Sequence, residues 1–124
     1  QIFDQEGKYL NQWINLSRAA CIYVDKRGKE DIFYVGEYFS GIASNDTGTD
    51  LGPRISIFNK SGKLLSRLGK ESYGPSVGRF YSPHGICVDS EGNIYVAEVS
   101  YSDYGQFLNP KRELRSMQKL VKTN

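Results

Sequence analysis

One histidine, two glutamates, two arginines and two tyrosines hold most of the chemistry this chain offers. His84 is the only histidine of 124 residues and lies in Ser82-Pro83-His84-Gly85, at the mouth of an apolar run. An imidazole there can ligate a metal or move a proton. It can equally be a loop residue bonding a neighbouring carbonyl. Zinc takes three protein ligands in an open catalytic site and four in a closed one, so a single histidine does not build either alone. Glu37 and Glu98 end two similar apolar runs, Ile32-Phe33-Tyr34-Val35-Gly36-Glu37 and Ile94-Tyr95-Val96-Ala97-Glu98. Their carboxylates suit a cation or basic ligand at a channel mouth, or an internal turn cap or salt bridge. Arg79 and Arg54 are candidate anion contacts, and Tyr38 and Tyr101 lie just beyond the two glutamates.

Other motifs fall short of their chemistry. Asn45-Asp46-Thr47-Gly48-Thr49-Asp50 offers oxygen ligands suited to calcium, but lacks EF-hand spacing and its closing glutamate. Gly69-Lys70-Glu71-Ser72 lacks the first glycine of a phosphate loop and has Glu71 after its lysine. No serine sits in a nucleophile-elbow context. Lys111, Arg112, Arg115, Lys119 and Lys122 form a basic tail interrupted by Glu113, which reads as a solvated edge before it reads as an RNA contact.

The composition bounds the class. With 39% hydrophobic and 24% charged residues, the chain is globular rather than disordered. Nine tyrosines and six phenylalanines favour β structure. A net charge of +2 does not by itself imply nucleic acid. The longest apolar run, Ala19 to Val24, is too short to span a membrane. Cys21 and Cys87 lie inside apolar runs, read as small hydrophobes, and do not make a disulfide framework. The chain opens at Gln1-Ile2-Phe3-Asp4, already in a strand pattern, and reads as a piece of a longer or processed protein.

The elements that position these residues come from a repeat. Four tight-turn signatures recur: Asp4-Gln5-Glu6-Gly7, Asp25-Lys26-Arg27-Gly28, Asn59-Lys60-Ser61-Gly62 and Asp89-Ser90-Glu91-Gly92. Each begins with Asp or Asn, which can accept a backbone N–H, and ends with Gly, which closes a hairpin. Apolar runs of strand length flank every one. The flanks alternate between two kinds, so one unit is two hairpins, or four strands. Such runs suit sheets packed between neighbouring sheets. Repeated four-stranded units of this kind are the blades of a β-propeller.

These residues also carry a family resemblance. Leu68-Gly69, Gly78-Arg79-Phe80, Pro83-His84-Gly85-Ile86-Cys87-Val88-Asp89 and Gly92-Asn93-Ile94-Tyr95-Val96-Ala97-Glu98 together resemble the NHL repeat. The unit from Cys21 to Glu37 is looser, with Arg18-Ala19-Ala20 before its strand and an insertion around Lys29-Glu30. The resemblance implies a six-bladed ring of units of about 40–50 residues. Of this ring the chain would hold the C-terminal part. Residues 1–16 would end one blade and 17–70 would form the middle blade, with a long loop at 39–54. Residues 71–124 would form the last blade with a closing C-terminal strand.

The Pro83-His84-Gly85 stretch is similar to the zinc-binding segments of peptidyl-hydroxyglycine amidating lyases, which are NHL-type propellers. That likeness implies His84 as one zinc ligand beside ligands from other blades, with a tyrosine and an arginine in catalysis and calcium in the ring. The equivalent position in the preceding unit is Ala20, and neither Tyr38 nor Tyr101 has the lyase offset. Three functions stay open: a ligand- or protein-binding module, a metal-dependent lyase, and an RNA-binding domain. The expected partners are the remaining blades, or a second copy of this chain, and a protein or peptide ligand.

The tail from Asn109 to Lys122 reads two ways. Asn109 and Pro110 suit a helix start, with Leu114, Met117 and Val121 as a stripe. The repeat instead puts Ser116-Met117-Gln118-Lys119-Leu120 in the slot of Ile55-Ser56-Ile57-Phe58 as a strand. Repeat context outweighs local propensity, so strand is the expectation.

Overall fold

Three copies of one tight turn set the register of the sheets. The side chains of Asp4, Asn59 and Asp89 each accept the backbone N–H groups two and four residues further on, at 2.8–3.1 Å. The glycine of each turn donates back to the carbonyl of that first residue. Gly7, Gly62 and Gly92 have φ of 82°, 82° and 88°, a region L side chains rarely enter. The fourth signature departs. Asp25 accepts the Arg27 N–H at 3.0 Å, but the Arg27 guanidinium also forks onto both carboxylate oxygens, at 2.8 Å each. The extra residues Lys29, Glu30 and Asp31 lengthen that loop, and Gly28 is not left-handed.

The computed structural model describes residues 1–38, 52–69 and 74–123. The protein is nearly all β, built as three antiparallel sheets. The first is a hairpin of β1 (Ile2–Phe3) and β2 (Tyr9–Asn11). The second runs in order β3 (Ala19–Asp25), β4 (Ile32–Glu37), β5 (Arg54–Asn59) and β6 (Leu64–Leu68). The third holds β7 (Pro83–Val88), β8 (Ile94–Glu98) and β9 (Met117–Leu120). These sheets are consistent with partial propeller blades.

The tail is a strand where it pairs: Ala97 faces Met117 and Val96 faces Gln118, as Gly36 faces Ile55 and Val35 faces Ser56. Backbone pairing to β8 decides between the two readings of that segment. The repeat pattern carries no sign of the structure in the link from β8 to β9. That link contains one turn of helix, α1 (Ser100–Asp103), and a 3-10 turn at Gly105–Phe107. Elements this short have no periodicity to read.

The core lies between the second and third sheets. Ile55, Phe80, Val88, Ile94 and Val96 are buried there, with Tyr23, Tyr34 and Ile86 among the side chains packed against them. Each fully buried side chain of this size contributes about 1.5–3 kcal/mol. Gly36 lets the two sheets approach closely. A Cβ there would meet the Cys21 sulfur and stand 3.3 Å from the Pro83 ring. On the opposite side of the second sheet, Trp13 stacks on Phe58 at 5.2 Å and meets Phe33 edge-on at 5.2 Å. The link from β2 to β3 is thereby tied down.

Candidate functional site

The two glutamates take equivalent places in the second and third sheets. Glu37 is fully buried and accepts the Ser17 N–H at 2.7 Å, Arg54 Nε at 2.9 Å and the Ser56 hydroxyl. Glu98 is 7% exposed and accepts the Tyr81 and Ser82 N–H groups, and Gln118 Nε2 at 2.7 Å. Arg115 Nε stands 4.0 Å from the same carboxylate. Each glutamate thus clamps the segment entering the first strand of its sheet to a side chain of the third strand. The carboxylates lie inside the protein, engaged by its own donors, and not at an open channel mouth. Arg54 is likewise buried on Glu37 rather than offered to an anion.

The same register identifies the positions that do differ between sheets. Tyr38 donates its backbone N–H to the Arg18 carbonyl at 3.0 Å, as Val99 does to the Ser82 carbonyl at 3.1 Å. So Arg18 corresponds to Ser82, Tyr38 to Val99, and Ala20 to His84. Where these positions meet, the two sheets bring unlike side chains together. His84 is exposed, and its imidazole meets the Tyr38 ring edge-on at 5.9 Å between centroids. The Arg18 guanidinium lies over that ring, 4.8 Å from its centroid. Arg18 has φ of 41°, the one non-glycine residue with positive φ among those described. Backbone held there is uncommon for a residue that carries a Cβ.

Asp103, on α1, completes the group. Burial, then a hydrogen bond to Asp103 and the charge of its carboxylate, push the Tyr38 phenol up to about 12, against weaker opposing effects of Arg18 and Ser82. The phenol therefore stays protonated through neutral pH and serves as a donor. Ser82 is fully buried, yet its Oγ has no hydrogen-bond partner among the described residues, and neither has Asp103 Oδ2. Arg18, Ser82 and Asp103 escape sequence reading because their grouping spans two sheets and a link. Superposing the two repeat units is the signal that sets Arg18 opposite Ser82.

The remaining candidates are scattered. Tyr101 is 38% exposed on α1, with its ring beside Gly105. Arg79 gives its carbonyl to Arg115 Nη2 and Gln118 Nε2, both at 2.9 Å. The basic tail is partly engaged at home: Arg115 also bonds the Pro75 carbonyl at 3.0 Å, and the Lys119 ammonium sits 5.2 Å from the Tyr95 ring centroid. Cys21 and Cys87 are free thiols, and burial pushes the Cys21 thiol up. The Asn45–Asp50 stretch and residues 70–73 lie outside the described residues. Among the described residues no three His, Cys, Asp or Glu side chains group closely enough to hold a metal. No helix among them is long and apolar enough to cross a membrane.

Comparison with known proteins assigns one segment. Residues 80–102, which hold β7, β8 and most of α1, match the NHL repeat. No curated protein and no solved structure matches the chain.

Proposed function

We propose that this chain is part of an NHL-type β-propeller that acts as a ligand- or protein-binding module. Its contact surface is the junction of Arg18, Tyr38 and His84. One observation carries the reading. Positions that repeat between the sheets, Glu37 and Glu98, are engaged internally, whereas positions that differ, Arg18 and His84, flank a single tyrosine ring. Arginine and tyrosine are also among the side chains that most often dominate binding energy at interfaces. A displayed peptide library panned against the protein tests this. Selected peptides are expected to bind at least about tenfold more weakly to His84→Ala and Arg18→Ala forms. The thermal midpoint of the His84 form should be unchanged, since that side chain is exposed. A library that yields no binder, or binders indifferent to both substitutions, rejects the proposal.

A metal-dependent lyase is the second reading, favoured by the meeting of one histidine, one tyrosine and one arginine. His84 is a fit zinc donor, but the described residues do not complete a shell around it. Metal content after purification, compared between the protein and its His84→Ala form, separates the two readings. About one zinc lost with the substitution favours the lyase.

A further inference from the structure

An open groove of about 600 Å³ lies between the second and third sheets, beside the core. Tyr34, Ile57 and Leu68 wall it on one side, Ile94 and Leu120 on the other. The repeat shows what such a place can hold. Ile2 pairs with Asn11 as Ile57 pairs with Ser66, so Trp13, two residues beyond Asn11, matches Leu68. Phe33 pairs with Phe58 as Ile94 pairs with Leu120. Between the first and second sheets these positions carry three rings, with the Trp13 indole on Phe58 and against Phe33. Between the second and third they carry three smaller aliphatic side chains, Leu68, Ile94 and Leu120, with open space beside them.

The groove has one charged wall. Lys122 runs across the bare backbone of Gly92, where a Cβ would stand 3.0 Å from Lys122 Cδ and 3.8 Å from its Nζ. The Lys122 backbone N–H is tied to Asn93 Oδ1 at 3.1 Å. Among the described residues no carboxylate lines the groove and none pairs with Lys122. Arg67 borders the groove as well, but its guanidinium is held by the Ser56 hydroxyl at 3.1 Å and by two Asn15 oxygens at 2.8 Å.

We propose that this groove binds a small aromatic carboxylate, its ring against Leu68, Ile94 and Leu120 and its acid group on the Lys122 ammonium. Small-molecule sites are typically clefts of roughly 300–1,000 Å³ with apolar walls and a few polar groups that fix orientation. A flat ring enters between two sheet faces and buries a large area while ordering few torsions. A charge-assisted bond to the ammonium sets which end faces out. The site shares no residue with the Tyr38 junction and does not depend on the binding-module reading.

The test titrates 2-naphthylacetate into the protein, followed by backbone amide NMR. Its neutral amide removes the charge, and octanoate removes the ring. Saturable binding of the aromatic acid is expected, with shifts in β6, β8 and β9. The amide and octanoate should each bind at least about tenfold more weakly. Lys122→Gln, at an exposed position, should bring the acid down to the affinity of the amide. Leu68→Trp carries the Trp13 side chain to the matching place and should block the groove, with the thermal midpoint unchanged or raised. The proposal is overturned if the acid does not saturate, or if the amide or octanoate binds as tightly. It is also overturned if Lys122→Gln changes nothing, or if a folded Leu68→Trp form binds like the parent. Shifts confined to Ile22, Phe33 and Val35 would place the ligand on the opposite face of the second sheet and overturn it too.

Discussion

Glu37 and Arg54 form a buried ion pair whose two side chains are 0% and 6% exposed. Replacing Glu37 with Gln removes this carboxylate from the buried arginine charge. That substitution should cost about 3–5 kcal/mol in urea denaturation. Glu98→Gln should cost less, because Arg115 stands further off and its side chain is 31% exposed. Equal losses would mean that the closer, more buried arginine does not set the difference between the two clamps. Tyr38 bears on pH. Its folded-state pKa is raised to about 12. The folded form thus keeps a proton that the unfolded chain releases near pH 10. Its contribution is complete below that value and is lost as pH rises towards about 12. Thermal midpoints measured from pH 9 upward should fall more gently for Tyr38→Phe than for the parent. At this scale the sequence exposes residue types but not their neighbours. His84, Tyr38 and the two glutamates stand out by composition and repeat position. Whether a glutamate faces solvent or an internal N–H depends on a segment 16–20 residues away.

The turns are the element most fully legible from sequence. Asp and Asn accept the same two N–H groups, so Asp4, Asn59 and Asp89 build one shape from local chemistry alone. Asp89 adds bonds to the Asn93 amide and the Tyr95 hydroxyl, and these contacts hold its pKa down to about 2. Its contribution is present above the ordinary carboxylate range and lost as pH falls from about 4 towards about 2. Asp89→Asn should fold at pH 7 as Asn59 does in its own turn, with a shallower drop in midpoint across that acid window. A drop equal to the parent's would exclude the Asp89 carboxylate as its source. The Asp25 turn shows where local reading ends, since three inserted residues shift closure from the glycine to the Arg27 fork. The α1 segment marks the same limit, being too short to carry a pattern of its own.

Across the whole molecule, the faces of the second sheet differ. One packs on the third sheet through the Phe80 and Val96 core. The other, with Ile22, Phe33 and Val35, borders an open groove of about 690 Å³ beside the β1 hairpin. Strand β9 is the edge of its sheet among the described residues, and Met117 on it is 62% exposed. Open apolar faces and edge strands favour association. A polypeptide of these 124 residues is therefore expected to gain mass with concentration in light scattering. Ile22→Lys and Met117→Lys should lower that mass. A monomer at every concentration would contradict this expectation.

The sequence by itself determined the strands, the three matched turns and the repeat that joins them. Each of these follows from features within a few residues: an apolar run of strand length, an Asp or Asn beside its own backbone, a glycine at positive φ. Only the tertiary structure decided what those strands bring together. The register of β3 against β4 and of β7 against β8, and the close packing that Gly36 permits, put Arg18, Tyr38, Ser82, His84 and Asp103 in one place. Contacts within each sheet, from the segment entering its first strand and from its third strand, turned the two glutamates inward. Contacts between residues tens of positions apart depend on how two sheets meet. That meeting is set by the volume of many side chains at once, and no single stretch of sequence contains it.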